Sequence, residues 1–307
     1  MSQIPYISAK DVEGTLSWHS MVDALWEGHK GQRPEIADQI LQRGQDILLS
    51  RAAWIGGLGA AVKTVSVFPD NPAKGQPSVQ GAMLLFDDQS GAVEAVIDSA
   101  LVTKWKTVAD SLLGARLLAR PESRRLLVMG AGEVARGLVQ AYPFIFPHIE
   151  IEIWNRSPEK AEVLAASHSN MRAVRDLEES VRRADIISCA TMTKTPLIKG
   201  DWLHEGQHLD LIGAFTPEMR EADDKALQRS RIFVDSRATT IEHIGELTLP
   251  LASGAISRAD ILGDFYDLAD GTAGRNSDDD ITLFKNGGGA HLDLMIGRMI
   301  LQAYRAE

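Results

Sequence analysis

The sequence predicts an α/β chain, a doubly wound parallel sheet joined to a smaller mixed α+β domain. Three observations predict it. From Arg124 onward, apolar runs short enough for buried strands alternate with helix-like segments. The first of these runs, Leu126-Leu127-Val128-Met129, enters a turn of small residues, Gly130-Ala131-Gly132-Glu133-Val134-Ala135. The residues ahead of this half carry strand-like runs spaced as in an antiparallel or mixed sheet.

Taken in order, residues 17–29 read as a helix and 46–49, 60–68, 79–86 and 93–97 as strands. Residues 102–118 place Val102, Trp105, Val108, Leu112, Ala115 and Leu118 at helical spacing, in a helix that spans the domain boundary. Strands are expected at 126–129, 149–154, 184–190, 208–212 and 231–234. Ser157-Pro158-Glu159-Lys160 opens a helix, with Ser at the cap and Pro in the first turn. Ser277 followed by Asp278-Asp279-Asp280 reads as a further helix start, Asp280 taking the capping-box position. Residues 290–303 carry Leu292, Met295, Ile296, Met299 and Ile300 on one stripe, which suits packing back on the first domain. The expected division is therefore 1–117, completed by 291–307, and 118–290.

The small-residue turn points to a dinucleotide. Gly130 permits a tight turn, Gly132 lets the backbone approach a pyrophosphate, Ala135 keeps the helix near the sheet, and the free amides of the helix start receive the anion. Ala131, Glu133 and Val134 complete this cradle; Ala190, Thr191, Gly213 and Ala214, at the ends of later strands, and Asn286 are expected to line the nucleotide. At the end of the second strand, where an Asp or Glu ordinarily takes the ribose hydroxyls, the chain has Asn155-Arg156-Ser157. Arg156 offers a planar fork for a 2′-phosphate and Ser157 a hydroxyl, so NADP is favoured and NAD remains possible. The alternative at this point is an exposed arginine ahead of a capped helix.

Composition excludes several functions. Of 307 residues, 44% are apolar and 24% charged, an ordinary globular balance, and the net charge of −10 disfavours nucleic acid and anionic membranes. Cys189 is the single cysteine, so no internal disulfide forms and a cysteine-built metal site is not expected. A reducing cytoplasm fits best, and residues 1–11 lack the pattern of a secretion signal. His204-Glu205-Gly206-Gln207-His208 matches the zinc-protease pattern H-E-x-x-H, but Gly206 and the strand opening at His208 break the helix that such a site needs. No metal is expected.

Three cations among apolar neighbours stand out in the first half: Arg51, Lys63 and Lys106. Lys63, inside Ala61-Val62-Lys63-Thr64-Val65, faces either solvent or a site. Converging, the three would clamp a carboxylate, and mutual repulsion would ready one lysine for proton exchange near neutrality. Gly287-Gly288-Gly289 either allows close approach to a ligand or is a plain flexible turn.

The segments Lys63-Thr64-Val65-Ser66-Val67-Phe68-Pro69-Asp70-Asn71-Pro72, Gly75-Gln76-Pro77-Ser78-Val79-Gln80-Gly81, Leu84-Leu85-Phe86-Asp87 and Ile281-Thr282-Leu283-Phe284-Lys285 resemble the ornithine cyclodeaminase and mu-crystallin family over nearly the whole chain. The resemblance implies a homodimer built through the first domain, a Rossmann domain, and a substrate carboxylate held by basic residues. Lys63 matches the family's substrate-binding lysine, and Lys106 stands where its T-x-x-R-T segment has arginine. Two departures bear on mechanism. Phe215 replaces the acid of the family's G-x-D-x-P-G-K segment, and Arg51 aligns with a glutamate of the cyclodeaminases. Without those carboxylates, cyclisation of a diamine is disfavoured.

The expected function is therefore NAD(P)H-dependent reduction of a cyclic ketimine acid, 1-pyrroline-2-carboxylate or 1-piperideine-2-carboxylate, to L-proline or L-pipecolate. Arg51, Lys63, Lys106 and Phe215 would meet the substrate, Lys63 would supply the proton, and Thr107 would orient it. Ornithine cyclodeaminase, an alanine dehydrogenase-like enzyme and a non-catalytic NADPH-binding protein are the alternatives.

Overall fold

The computed structural model describes residues 3–306, and the chain divides into two units, one running to Lys106 and resuming at Gly289, the other Thr107–Gly288. The first unit holds β1 (Tyr6–Ile7), α1 (Trp18–His29), β2 (Glu35–Arg43), β3 (Asp46–Ile55), β4 (Gly59–Val67), β5 (Val79–Phe86), β6 (Val93–Asp98) and the start of α2 (Ser99–Leu118). Its sheet runs β1-β6-β5-β4-β3-β2, with β1 parallel to β6 and every other pair antiparallel. Alternation decides which face is buried. Ala53, Ile55, Ala61, Val65, Met83, Leu85 and Ile97 point inward and are buried, while Leu48, Trp54 and Leu84 stand exposed on the opposite face. Ser17 caps α1 by accepting from the amide of Ser20 at 3.1 Å, and α1 buries Met21, Val22 and Leu25.

The second unit continues with β7 (Arg125–Met129), α3 (Glu133–Ile145), β8 (Glu150–Trp154), α4 (Pro158–Ala165), β9 (Met171–Ala173), α5 (Leu177–Arg183), β10 (Ile186–Cys189) and β11 (His208–Leu211). It is completed by α6 (Asp224–Arg229), β12 (Arg231–Val234), α7 (Arg237–Thr240), α8 (Gly245–Ser253), β13 (Ile261–Gly263), α9 (Phe265–Ala269) and β14 (Thr282–Lys285); α10 (Ala290–Arg305) then belongs to the first unit. All eight strands are parallel, in the order β13-β12-β14-β11-β10-β7-β8-β9. The order reverses between β7 and β10, the switch point at which such sheets take ligands. No described helix is long and apolar enough to cross a membrane.

Several expectations need correction. The division falls at 106/107, inside α2, and the return at 288/289, rather than at 117/118 and 290/291. The later part of α2 packs within the second unit: a Cβ placed on Gly137 or Gly114 would lie 2.6 Å from Val108 or from the Phe284 ring, so these glycines admit the helix closely. β3 extends to Ile55 rather than stopping at Leu49, which puts Arg51 in mid-strand. β2 was not expected at all, because it is an edge strand exposed along almost its whole length and shows no alternation. The acidic run after Ser277 opens no helix. Asp280 still accepts from the amides of Asn276 (2.8 Å) and Ser277 (3.1 Å), but the segment is a turn held by Arg275, which donates to the carbonyls of Leu118 (2.7 Å) and Asp280 (2.6 Å). Around Gly206, at φ +85°, the chain also turns, and His208 then enters β11 and bonds Thr282 Oγ1 at 2.9 Å.

Candidate functional site

In the second unit, the C-terminal ends of β7 and β10 form a cradle. Gly130 sits at φ +119°, a conformation closed to most side chains, and its amide donates to Trp154 O at 2.8 Å. A Cβ on Gly130 would lie 3.0 Å from Ala190 O, so the turn lies against the end of β10. Gly132 is the N-cap of α3, and a Cβ there would meet nothing within 4 Å. The first-turn amides of a 13-residue helix thus face open space on one side while Ala135 is buried on the other. Ala131 and Val134 are half-buried and Glu133 is exposed. At the end of β8, Asn155 Nδ2 donates to Ser157 O at 2.9 Å, Arg156 is exposed, and Ser157 is the N-cap of α4 without using its hydroxyl as a cap. The cradle fits a dinucleotide: open amides for a pyrophosphate, and an exposed guanidinium with a nearby hydroxyl at the ribose end.

The loops after β10 and β11 are tied by a group with no signature in the sequence. The buried Glu221 carboxylate accepts from the amides of Thr191 (2.9 Å), Gly213 (2.7 Å) and Ala214 (3.1 Å). Glu246 in turn accepts from the amides of Glu221 (2.6 Å) and Ala222 (3.0 Å). Burial raises both carboxyls above the ordinary range, while the Lys285 ammonium opposes it; Lys285 itself donates to Leu211 O at 2.7 Å and Asn286 O at 2.8 Å. Asn286 Nδ2 donates to Thr107 O and Ser111 Oγ, both at 3.0 Å, and Asp235 accepts from the amide of Gly287 at 3.0 Å and from that of Gly288. The triple glycine is therefore a pinned segment, with Gly288 at φ +72°. Phe215 is 59% exposed in the loop beyond β11.

In the first unit, the three cations converge. Arg51 and Lys63 are direct cross-strand partners on β3 and β4, so both side chains point to the inner face, between the buried Ala61 and Val65 in the case of Lys63. That settles the orientation the sequence left open. Lys63 is 7% exposed and its Nζ lies 2.6 Å from Asp293 Oδ1 on α10. Lys106 on α2 is buried as well. Burial lowers the Lys63 pKa most; Asp293 raises it, and Lys106 and Arg51 lower it further, leaving it below its ordinary value. Arg51 is partly compensated by Asp38 on β2, with contacts of 2.8 and 3.0 Å. His291, on α10, is held neutral: burial depresses its pKa strongly, and His29, Lys106 and Arg51 add to the effect.

The family model for the ornithine cyclodeaminase/mu-crystallin family matches residues 23–307. The chain belongs to that family. A delta(1)-pyrroline-2-carboxylate reductase from Paracoccus denitrificans is 52% identical over 301 residues, covering 96% of this chain and 95% of the relative. The structure of the Thermococcus litoralis delta(1)-pyrroline-2-carboxylate reductase in complex with NADH and L-proline matches with a TM-score of 0.90 at 26% identity, over 99% of this chain and 98% of that one. An archaeal alanine dehydrogenase dimer with bound NAD matches at 0.91 and 25%, over 99% and 96%. The fold class expected of the sequence is thus that of both solved structures.

Sequence reasoning found the three cations and the glycine turn but missed Asp293, Glu221, Glu246 and Asp235. Asp293, Glu246 and Asp235 are lone acids whose partners lie elsewhere in the chain, and Glu221 sits in an acidic stretch with Glu218, Asp223 and Asp224 that does not single it out. Asp293 carried a faint signal, a charge within the apolar stripe of α10.

Asp210 tests the wiring beneath the cradle. Buried on β11, it accepts from Ser111 at 2.8 Å and Ser188 at 2.5 Å, and burial pushes its pKa up to about 6. Because the native state then holds this proton longer than the unfolded chain does, the group's contribution to stability falls as pH rises from about 4 to 6, by about 3 kcal/mol. Urea unfolding of wild type and Asp210→Asn should show a stability difference that changes by that amount over this window. A difference independent of pH contradicts the buried titration.

Proposed function

We propose that this chain reduces a cyclic ketimine carboxylate, 1-pyrroline-2-carboxylate or 1-piperideine-2-carboxylate, to L-proline or L-pipecolate. It is an NAD(P)-dependent oxidoreductase acting on a C=N bond. The observation that carries the reading is the cluster of half-buried Arg51 with buried Lys63 and Lys106, in a chain 52% identical to a delta(1)-pyrroline-2-carboxylate reductase. Three cations against two carboxylates leave an excess of positive charge, and a planar imino acid supplies a carboxylate without demanding an acid for a second amine. Phe215, which has no acidic group, agrees with that.

Bound at the cradle, the reduced nicotinamide supplies the hydride. Gly130, Ala131, Gly132, Glu133 and Val134 would hold its pyrophosphate; Ala190, Thr191, Gly213, Ala214 and Asn286 would line the rest. Lys63 and Lys106 would bind the substrate carboxylate with Arg51, and Lys63 would deliver the proton to the ring nitrogen, becoming a neutral amine until solvent recharges it. Thr107, next to Lys106, would orient the reacting groups. The first unit would thus bind substrate and the second the dinucleotide. Arg156, Asn155 and Ser157 support NADP over NAD. The exposed apolar face bearing Leu41, Leu48, Trp54 and Leu84 supports a homodimer built through the first unit's sheet. A single, buried cysteine supports a reducing cytoplasm.

Two outcomes are expected. Incubated with either imine, the protein oxidises NADPH, and Lys63→Ala lowers kcat/KM by at least about 100-fold; release of ammonia from ornithine with no imine reduction contradicts the reading. Arg156→Ala raises the NADPH dissociation constant about 10- to 100-fold while leaving that of NADH nearly unchanged. Equal effects on the two nucleotides would remove the case for NADP.

A further inference from the structure

The cation cluster holds one residue whose role the proposed function does not assign. Asp293 is 1% exposed, in the first turn of α10, with Oδ1 on Lys63 Nζ and Oδ2 without a hydrogen-bond partner among the described residues. Its place is rigidly set. A Cβ on Gly297 would lie 2.2 Å from Met83 Cε, and one on Gly28 2.5 Å from Met295 Sδ, so α10 lies tightly against both the sheet and α1.

The groups around Lys63 show what that carboxylate must do. From β3 comes Arg51, its charge shared with Asp38 of β2; from α2 comes Lys106; from α10, besides Asp293, comes His291, held neutral, with His29 of α1 edge-on to it at 5.5 Å between ring centres. Burial and the two neighbouring cations all push Lys63 toward the neutral amine. Asp293 is the carboxylate bonded to it and acts the other way. Its bond also occupies one of three ammonium hydrogens, leaving two to be aimed elsewhere.

We propose that Asp293 is a positioning residue that keeps the Lys63 ammonium charged and fixes its direction, so that the lysine meets the substrate as a cation holding a transferable proton. This rests on the proposed imine reduction. The acid itself touches neither substrate nor nucleotide in this account. It differs from an acid that serves a second amine, because its effect is exerted wholly through Lys63.

The test compares wild type, Asp293→Asn and Asp293→Glu. In wild type, kcat/KM for the imine falls at high pH as Lys63 loses its proton. In Asp293→Asn that basic limb moves to lower pH by about 1–2 units, since the opposing charge is gone. In Asp293→Glu, which restores a carboxylate, it moves back toward wild type. NADPH affinity, measured by fluorescence on the same proteins, stays unchanged. A 13C NMR titration of the Lys63 Cε, assigned by its loss in Lys63→Arg, reads the same shift without any substrate. If wild type reduces no imine, the functional reading fails while the NMR shift still decides the role of Asp293. If the Lys63 titration is the same in wild type and Asp293→Asn, or activity drops equally at every pH, the proposal is overturned.

Discussion

A lysine on the inner face of a β-sheet is a constraint that its surroundings have to meet. Taking an ammonium out of water costs several kcal/mol even after relaxation, and two more cations nearby increase that cost. The first unit answers with Asp293 from α10 and Asp38 beside Arg51. Two carboxylates, Asp293 and Asp38, stand against three cations, so the cluster keeps an excess of positive charge. A hydrophobic residue at position 63 would pack at lower cost; under the proposed function, what the lysine adds is recognition of an anion.

The second unit is organised by an opposite arrangement, in which buried acids hold backbone amides. Glu221 gathers three amides from the ends of β10 and β11, Glu246 steadies Glu221, and Asp235 grips the glycines that follow β14. A carboxylate accepting two or three amides is a strong local tie. It lets the loops at the carboxyl edge of the sheet be irregular and still well placed, which a dinucleotide cradle needs. The geometry at Gly130 and Gly132 depends on no side chain at all, only on the absence of one.

Legibility in the sequence followed the range of the interaction that makes each feature. The parallel half could be read because its strands are buried on both faces and appear as apolar runs, and because the glycine turn is local. β1, β2, β9, β13 and β14 were not read as strands: β2 is an exposed edge, and β1, β9 and β13 are two or three residues each, too short to show a period. The acidic run at 278–280 looked like a helix start because a capping box and a tight turn use the same hydrogen bond, donated by a preceding backbone amide to an aspartate. At the site, Lys63 was conspicuous as a charge inside an apolar alternation, yet its direction could be settled only by the register that sets it across from Arg51. Asp293 lies 230 residues from its partner, and nothing short of the tertiary fold joins them.

The central claim is that the cation cluster exists to hold a carboxylate. Calorimetric titration of the NADP+-loaded protein with L-proline and with L-prolinamide tests it most directly, since the two ligands share the ring and differ in that charge. The account predicts measurable binding of L-proline and at least about 100-fold weaker binding of the amide, the loss expected when a buried charged pair loses one partner. Equal affinities would contradict it.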